Sequence, residues 1–339
     1  MESIMRVWEI RDSYGLDHMH IAERPDPKAG PGQIVVAMKA ASLNYRDLLT
    51  CIGMAGGFPL PLIPFSDGAG EVVEVGSGVT HVKKGDRVCP SFFPGWINGA
   101  VADYTRAAAL GGTAQGVLQE KFLIDAEGVS KIPAHLSYEE AATLPCAGLT
   151  AWRAVAVEAP VGPGKTVLVQ GTGGVSIFAL QFAKEMGATV IATSSSDAKL
   201  ARAKALGADH LINYGTTPDW GAKARELTGG HGVDVVVEVG GENTLGQSLN
   251  AARSGGRIVV IGVLGGFSTP FMIPLFFSKN LHMIGVTVGS REQFEHMAEA
   301  IDRWKLKPVV DKTFPFTKVP EALHLMQDKG HFGKIAITF

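Results

Sequence analysis

The chain has 339 residues, 42 of them glycine, with 46% hydrophobic and 19% charged residues, proportions that exclude a disordered or low-complexity protein and suit two globular domains. Its formal charge is −2, from 31 basic and 33 acidic residues with histidine neutral. The basic residues are scattered, so the expected partner is a small molecule, with no nucleic acid and no membrane surface. Cys51, Cys89 and Cys146 form no CxxC and are too few for a disulfide framework, as suits a reducing, cytoplasmic compartment.

At the N-terminus no basic segment precedes an apolar run, and the later apolar stretch Phe271 to Phe277 is too short to span a bilayer and contains Pro274, so neither secretion nor membrane insertion is expected. From Gln33 to Val88 short β-rich runs, such as Ile34 to Met38 and Gly70 to Val75, alternate with Gly, Pro and Asp turns, which predicts an irregular, mostly antiparallel β domain. After about Leu136 the texture changes. Ser137 to Glu140 has the form of a capping box opening a helix. Strands are then expected at Thr166 to Gln170, Thr189 to Thr193, His210 to Asn213, Val233 to Glu238, Arg257 to Gly262 and Leu281 to Val286, alternating with helical patterns. That alternation predicts an α/β Rossmann domain with a doubly wound parallel sheet. The stretch from Val309 to Phe339, strand-like around a helical segment from Pro320 to Met326, is expected to return to the first domain. The expected divisions are 1–136, 137–288 and 289–339.

The sharpest motif is Gly171-Thr-Gly173-Gly174-Val175-Ser176, between the apolar run ending in Gln170 and a helical pattern from Ile177. A strand running through glycines into a helix sets backbone N–H groups and a helix N-terminus against a pyrophosphate. Gly171 permits the tight turn, Gly173 keeps a side chain off the phosphate, and small Ser176 stands where the fingerprint prefers a third glycine. At the end of the next strand Ser194-Ser195-Ser196-Asp197 carries a serine where a carboxylate would bind an adenosine ribose 2′-OH. Ser194, Ser195, Lys199 and Tyr214 are candidates for a 2′-phosphate, so NADPH is expected, with NADH the alternative. The competing reading has the serines capping the next helix and Lys199 solvated. Gly162-Pro-Gly164-Lys165-Thr166 is read as a turn rather than a phosphate loop, because Ala159 stands in place of the first glycine and a strand follows. His18-Met-His20 has metal-like spacing on an expected strand but no third ligand nearby, and is read as surface histidines.

Segments along nearly the whole chain resemble the medium-chain dehydrogenase/reductase superfamily, in its zinc-independent, quinone-oxidoreductase-like branch. They are Ser42-Leu-Asn44-Tyr45-Arg46-Asp47, Ser66-Asp67-Gly-Ala-Gly70 and on to Gly76, Lys84-Gly-Asp86-Arg-Val88, Ala141 to Trp152, and the glycine loop. The resemblance implies that the β domain is GroES-like. It aligns the usual catalytic-zinc positions with Asn44 or its neighbours, Ser66 and Cys146, and amide and hydroxyl groups are poor zinc ligands. The four-cysteine structural lobe is absent, so no metal is expected. The resemblance also implies Asn44 near the nicotinamide ribose or phosphate, Thr150 beside the nicotinamide, and Val263 and Leu264 along its other side. Tyr45, Arg46 and Asp67 are the polar candidates for catalysis, against an alternative in which Arg46 pairs with Asp67 or Asp47 only to brace the cleft. Zeta-crystallin-type quinone oxidoreductases usually carry a small-small-Gly-Gly-x-Gly loop, from which Gly171 to Ser176 departs.

Without a Lewis acid to stabilise an alkoxide, conjugated acceptors become the expected substrates: hydride enters the far end of a quinone, enone or other activated alkene while hydrogen-bond donors hold the charge that collects on oxygen. The alternatives are an alcohol or carbonyl oxidoreductase, an enoyl-thioester reductase, or a non-catalytic NADPH-binding or redox-sensing protein. The stretch from Phe92 to Gly112, with Trp96 and Tyr104, is read as a lobe over the cleft or a surface loop. Leu281 to Val286 is apolar enough to continue the sheet into a second subunit, so a homodimer is expected.

Overall fold

Short β-rich runs punctuated by turns become strands in the computed structural model, which describes residues 3–339. An antiparallel hairpin joins β1 (Ile4–Ile10) and β2 (Met19–Pro25). There follow β3 (Gln33–Ser42), α1 (Tyr45–Cys51), β4 (Asp67–Val75), β5 (Arg87–Pro90), β6 (Lys121–Asp125), β7 (Val129–Lys131) and α2 (Tyr138–Ala141). The Ser137 capping box is formed: the Ser137 hydroxyl accepts from the Glu140 N–H at 3.1 Å, and the Glu140 carboxylate accepts from the Ser137 N–H at 2.8 Å. It starts only one helical turn, which passes into a π-helical turn at Leu144–Gly148, α3 (Leu149–Trp152) and a second π-helical turn at Arg153–Glu158.

The six expected Rossmann strands are present as β8 (Thr166–Gln170), β9 (Thr189–Ser194), β10 (His210–Asn213), β11 (Val233–Glu238), β12 (Ala252–Val260) and β13 (His282–Gly285), with α4 (Gly174–Glu185), α5 (Asp197–Ala205), α6 (Trp220–Leu227), α7 (Leu245–Ala251) and α8 (Ile273–Ser278) in the connections. Their order is β10-β9-β8-β11-β12-β13, all parallel, so the order reverses between β8 and β11. Ligands bind outside the carboxyl ends of the strands at such a reversal. The apolar core of the sheet includes Leu168, Ile191, Val236 and Ile258. β12 starts five residues before the expected Arg257, beyond a register shift between Val233 and Val235.

One further helix, α9 (Arg291–Trp304), was not expected. It is opened by Ser290, which accepts from the Gln293 N–H, and it buries Phe294, Met297, Ala298 and Ile301 along one face. It precedes β14 (Val310–Pro315), α10 (Val319–Gln327) and β15 (Lys334–Thr338). The chain end returns to the first sheet, where β15 pairs antiparallel with β3 through Ala336 and Ser42. That sheet runs β14-β15-β3-β4-β5-β7, with β6 also on β3. Two units result: residues up to Leu149 with Val288–Phe339, and Thr150–Thr287. Residues 137–149 thus lie in the first unit, although the sequence division at 137 assigned them to the second; α2 packs on β3 and β4. Among the described residues no helix is long and apolar enough to cross a membrane.

Candidate functional site

In the second unit the strand, glycine turn and helix expected at Gly171 are formed. Gly171 has φ +68°, in the left-handed region that favours glycine. Gly173 is in extended conformation as N-cap of α4, and the space that a side chain there would enter is open. Gly174 and Val175 are the first residues of the helix. Ser176 is buried, and its hydroxyl donates to the Gln170 carbonyl at 2.6 Å, so the residue in the third-glycine place ties the helix to β8. No side chain caps α4, which leaves its N-terminal amides facing that open space. This cradle fits the pyrophosphate of a dinucleotide.

Around the end of β9, Ser194 is buried and its hydroxyl accepts from the Ser196 N–H at 3.2 Å, while Ser195 is exposed. The Ser196 hydroxyl accepts from the Lys199 N–H at 3.3 Å, so one of the three serines does cap α5. Asp197 accepts from the Asn213 side chain at 2.7 Å. Tyr214 is partly exposed and its N–H donates to the Ser194 carbonyl at 3.0 Å, bringing it beside the serines. Val263 and Leu264 lie partly exposed in the loop after β12, and Thr150 is buried in α3.

The first unit gathers a buried polar cluster at the carboxyl end of β3 and the start of β4. The Asn44 N–H donates to Asp47 Oδ2 at 2.8 Å, and the Ser66 N–H to Asp47 Oδ1 at 3.3 Å. Lys334, the first residue of β15 and only 3% exposed, donates through Nζ to the Leu43 carbonyl and to Asn44 Oδ1, the latter at 2.6 Å. That contact sets the amide orientation, and Asn44 Nδ2 donates to Ser66 Oγ at 3.3 Å. Ser66 Oγ in turn donates to Asp67 Oδ1 at 2.7 Å, and Asp67 Oδ2 accepts from the Cys146 N–H at 2.8 Å. Burial pushes the Asp67 carboxyl up to about 6, against the opposing pull of the Lys334 charge. Burial also holds the Lys334 amine below its usual range, and desolvation with the Asp67 charge pushes the Cys146 thiol up.

Arg46 donates to Asp47 Oδ1 at 3.0 Å and to the carbonyls of Leu110 and Gly111 at 3.0 and 2.9 Å, with its guanidinium 5.1 Å from the Phe92 ring centre. This is the bracing arrangement the sequence left open, with Asp47 rather than Asp67 as partner. Tyr45 packs half-buried against the core of the first unit. In the 92–112 stretch Trp96 is buried and its carbonyl accepts from the Arg291 N–H at 2.9 Å, whereas Tyr104 is exposed. His18 lies in a 3-10 turn and His20 on β2, both exposed.

Residues 30–134 match the alcohol dehydrogenase GroES-like domain family and residues 174–303 the zinc-binding dehydrogenase family. A zinc-type alcohol dehydrogenase-like protein of Schizosaccharomyces pombe is 43% identical over 95% of this chain and 96% of its own length. The chain belongs to the medium-chain dehydrogenase/reductase superfamily. A solved structure of a putative alcohol dehydrogenase from Sinorhizobium meliloti 1021 superposes on this superfamily member with a TM-score of 0.93 at 44% identity, covering 100% of both chains. An acryloyl-coenzyme A reductase of Metallosphaera sedula is 30% identical over 94% of this chain and 96% of its own length. As a medium-chain dehydrogenase/reductase the protein is an oxidoreductase.

Two of these names carry zinc, and the donor chemistry at Asn44, Ser66 and Cys146 does not fit that ion. Asn44 and Ser66 offer neutral oxygens, burial and the Asp67 charge push the Cys146 thiol up, and Nζ of Lys334 already sits on Asn44 Oδ1. Three cysteines in the whole chain cannot build a four-cysteine structural site. Among the described residues no group of three or more His, Cys, Asp and Glu is arranged to hold a metal.

Sequence reasoning passed over Lys334 and the bridging role of Asp47. The available signal was a lone lysine opening an otherwise apolar strand, Lys334-Ile-Ala-Ile337.

Proposed function

We propose that the chain is a zinc-independent, NADPH-dependent oxidoreductase that transfers hydride to a quinone, an enone or another activated alkene. The observation that carries the reading is the Lys334, Asn44, Ser66 and Asp67 network: amide, hydroxyl and buried carboxyl groups joined by a buried lysine Nζ, in place of a soft metal-ligand set. A solved structure of an NAD-dependent alcohol dehydrogenase, 35% identical with a TM-score of 0.90, supports a nicotinamide cofactor. When bound, that cofactor supplies the hydride. The protein's share is to orient donors and acceptors and to exclude water. The glycine loop would hold the pyrophosphate, and Ser194, Ser195, Lys199 and Tyr214 the adenosine ribose and its 2′-phosphate, which favours NADPH over NADH. Asn44, Thr150, Val263 and Leu264 would lie against the nicotinamide end.

Oxidation of a simple alcohol asks for a group that takes its proton and steadies an alkoxide. A conjugated acceptor asks only for donors at the carbonyl oxygen and a proton source. Hydroxyl and amide groups fit the second task, and Tyr45 and Asp67 are the candidates for handling the proton. Arg46 acts in this reading as a brace. The acryloyl-coenzyme A reductase among the relatives gives specific support to an enoyl-thioester substrate as the second reading. We also place the protein as a homodimer joined through β13 in a reducing, cytoplasmic compartment, where free cysteines persist.

The test is NADPH and NADH consumption in the presence of a chelator against a quinone, a cyclic enone, an enoyl thioester and simple aldehydes. Turnover of the quinone or enone is expected. Turnover of aldehydes alone would overturn the substrate class, and NADPH binding without turnover of any acceptor would favour a non-catalytic role.

A further inference from the structure

Glu238 ends β11, is fully buried, and accepts from five donors. Its Oε1 takes the N–H groups of Gly240 and Gly241 at 2.8 and 3.0 Å and the Thr244 hydroxyl at 2.5 Å. Its Oε2 takes Gln170 Nε2 at 2.7 Å and the Ser248 hydroxyl. Gln170 faces the other way with its oxygen, accepting from the Val239 N–H at 3.2 Å. Every group around the carboxylate therefore donates, and both its oxygens accept.

The donors come from the segments that leave the carboxyl ends of the central strands. Gln170 immediately precedes Gly171 and receives the Ser176 hydroxyl on its carbonyl, so it adjoins the glycine turn. Residues 239–244 follow β11, and they bind the 261–266 loop through Gly265 N–H to Gly240 carbonyl at 2.7 Å, Leu264 N–H to Val239 carbonyl at 3.2 Å and a bridge between Gly241 and Gly266. One buried side chain thus sets the glycine turn, the 239–244 segment and the loop bearing Val263 and Leu264 relative to one another.

We propose that Glu238 is the positioning residue for the dinucleotide site, fixing these three loops in the arrangement that binds the cofactor. The inference rests on the proposed nicotinamide-dinucleotide reading and deepens it. Donor counting gives a sharp consequence. In Glu238→Gln the new side chain must turn its NH2 away from Gly240 and Gly241, whose N–H groups cannot rotate, and so toward Gln170 Nε2 and Ser248. The Ser248 hydroxyl, which already accepts from Gln170 Nε2 at 2.7 Å, can rotate to accept from the new amide as well, but Gln170 cannot flip without abandoning the Val239 N–H. Gln170 Nε2 keeps its bond to Ser248, and the other of its two buried N–H donors is orphaned next to Gly171. Exchanging the pair, Gln170→Glu with Glu238→Gln, restores the complement: the carboxylate introduced at position 170 would accept from the Val239 N–H and from the new amide at position 238, whose oxygen keeps the Gly240, Gly241 and Thr244 donors.

The test is NADPH affinity, followed by the fluorescence of the bound dinucleotide in the full chain, beside the thermal unfolding midpoint of each variant. Glu238→Gln is expected to weaken NADPH binding about tenfold, the cost of one orphaned buried donor, and the exchanged pair to recover to within about threefold of wild type. Should Glu238→Gln fail to fold, Thr244→Val, which removes a single donor, replaces it, with a loss of about threefold expected. Wild-type affinity in a folded Glu238→Gln or Thr244→Val protein, even with a lowered unfolding midpoint, would overturn the positioning role and leave a structural one. Wild type that binds no nicotinamide dinucleotide would instead overturn the cofactor reading itself.

Discussion

At the residue scale, Lys199 and Asp67 yield the clearest expectations. Lys199 lies in the first turn of α5, its N–H capped by Ser196, and in the proposed reading its side chain pairs with the 2′-phosphate that distinguishes NADPH from NADH. Lys199→Ala should raise the dissociation constant for NADPH about tenfold and leave that for NADH within about twofold; equal losses for both would remove the discrimination assigned to it. Asp67 is buried with a carboxyl raised to about 6. Between its ordinary acidic range and that value the folded state binds more protons than the unfolded chain, so this group adds stability as the pH falls from about 6 to about 4 and takes it away as the pH rises again. Asp67→Asn should flatten that part of the profile of denaturant stability against pH. An unchanged profile would show that the carboxyl does not titrate there. Asp67 was legible from its place before Gly-Ala-Gly, but its partners were not: Lys334 reaches Asn44 from 290 residues away, a contact that only the return of β15 to β3 creates.

Among the elements, the turn from β8 into α4 separates two uses of glycine. Gly171 is required by its own backbone at φ +68°, whereas Gly173 has an unstrained backbone and faces open space. Gly171→Ala should therefore lower stability by about 1–2 kcal/mol. Gly173→Val should lower stability by no more than about 1 kcal/mol, the loss of a favourable N-cap residue, and weaken NADPH at least about tenfold, by filling the space proposed for the pyrophosphate. Equilibrium unfolding and titration with NADPH read the two effects separately. The β8-to-β13 series was legible because its central strands carry runs of apolar residues that alternate with helical patterns, as in Val233-Asp-Val-Val-Val-Glu238. Helix α9 was missed although Ser290 and Gln293 announce its start, because charged residues such as Arg291, Glu292, Glu295 and Glu299 surround its thin apolar stripe. The division after Leu149 was hidden as well, since α2 and the π-helical turn at Leu144–Gly148 follow a helix-start signal yet pack with the first unit.

For the whole molecule, the second unit leaves β13 at the edge of its sheet, with Ile273 62% and Phe277 63% exposed on the adjoining helix α8. An apolar edge of this kind asks to be covered, and a second copy paired across a two-fold axis would cover it. Met283→Lys places a charge on that strand and should convert a dimer to a monomer in light scattering; a monomeric wild type, or a dimer indifferent to the substitution, would rule this interface out. The central claim concerns what the polar cluster of Asn44, Ser66, Asp67 and Lys334 does without a metal. Its most direct test is to measure zinc in protein dialysed against chelator and then follow NADPH-dependent reduction of a cyclic enone by the same sample. The account predicts far less than one zinc per chain and undiminished turnover. One zinc per chain, with turnover that vanishes on its removal and returns on its addition, would contradict it.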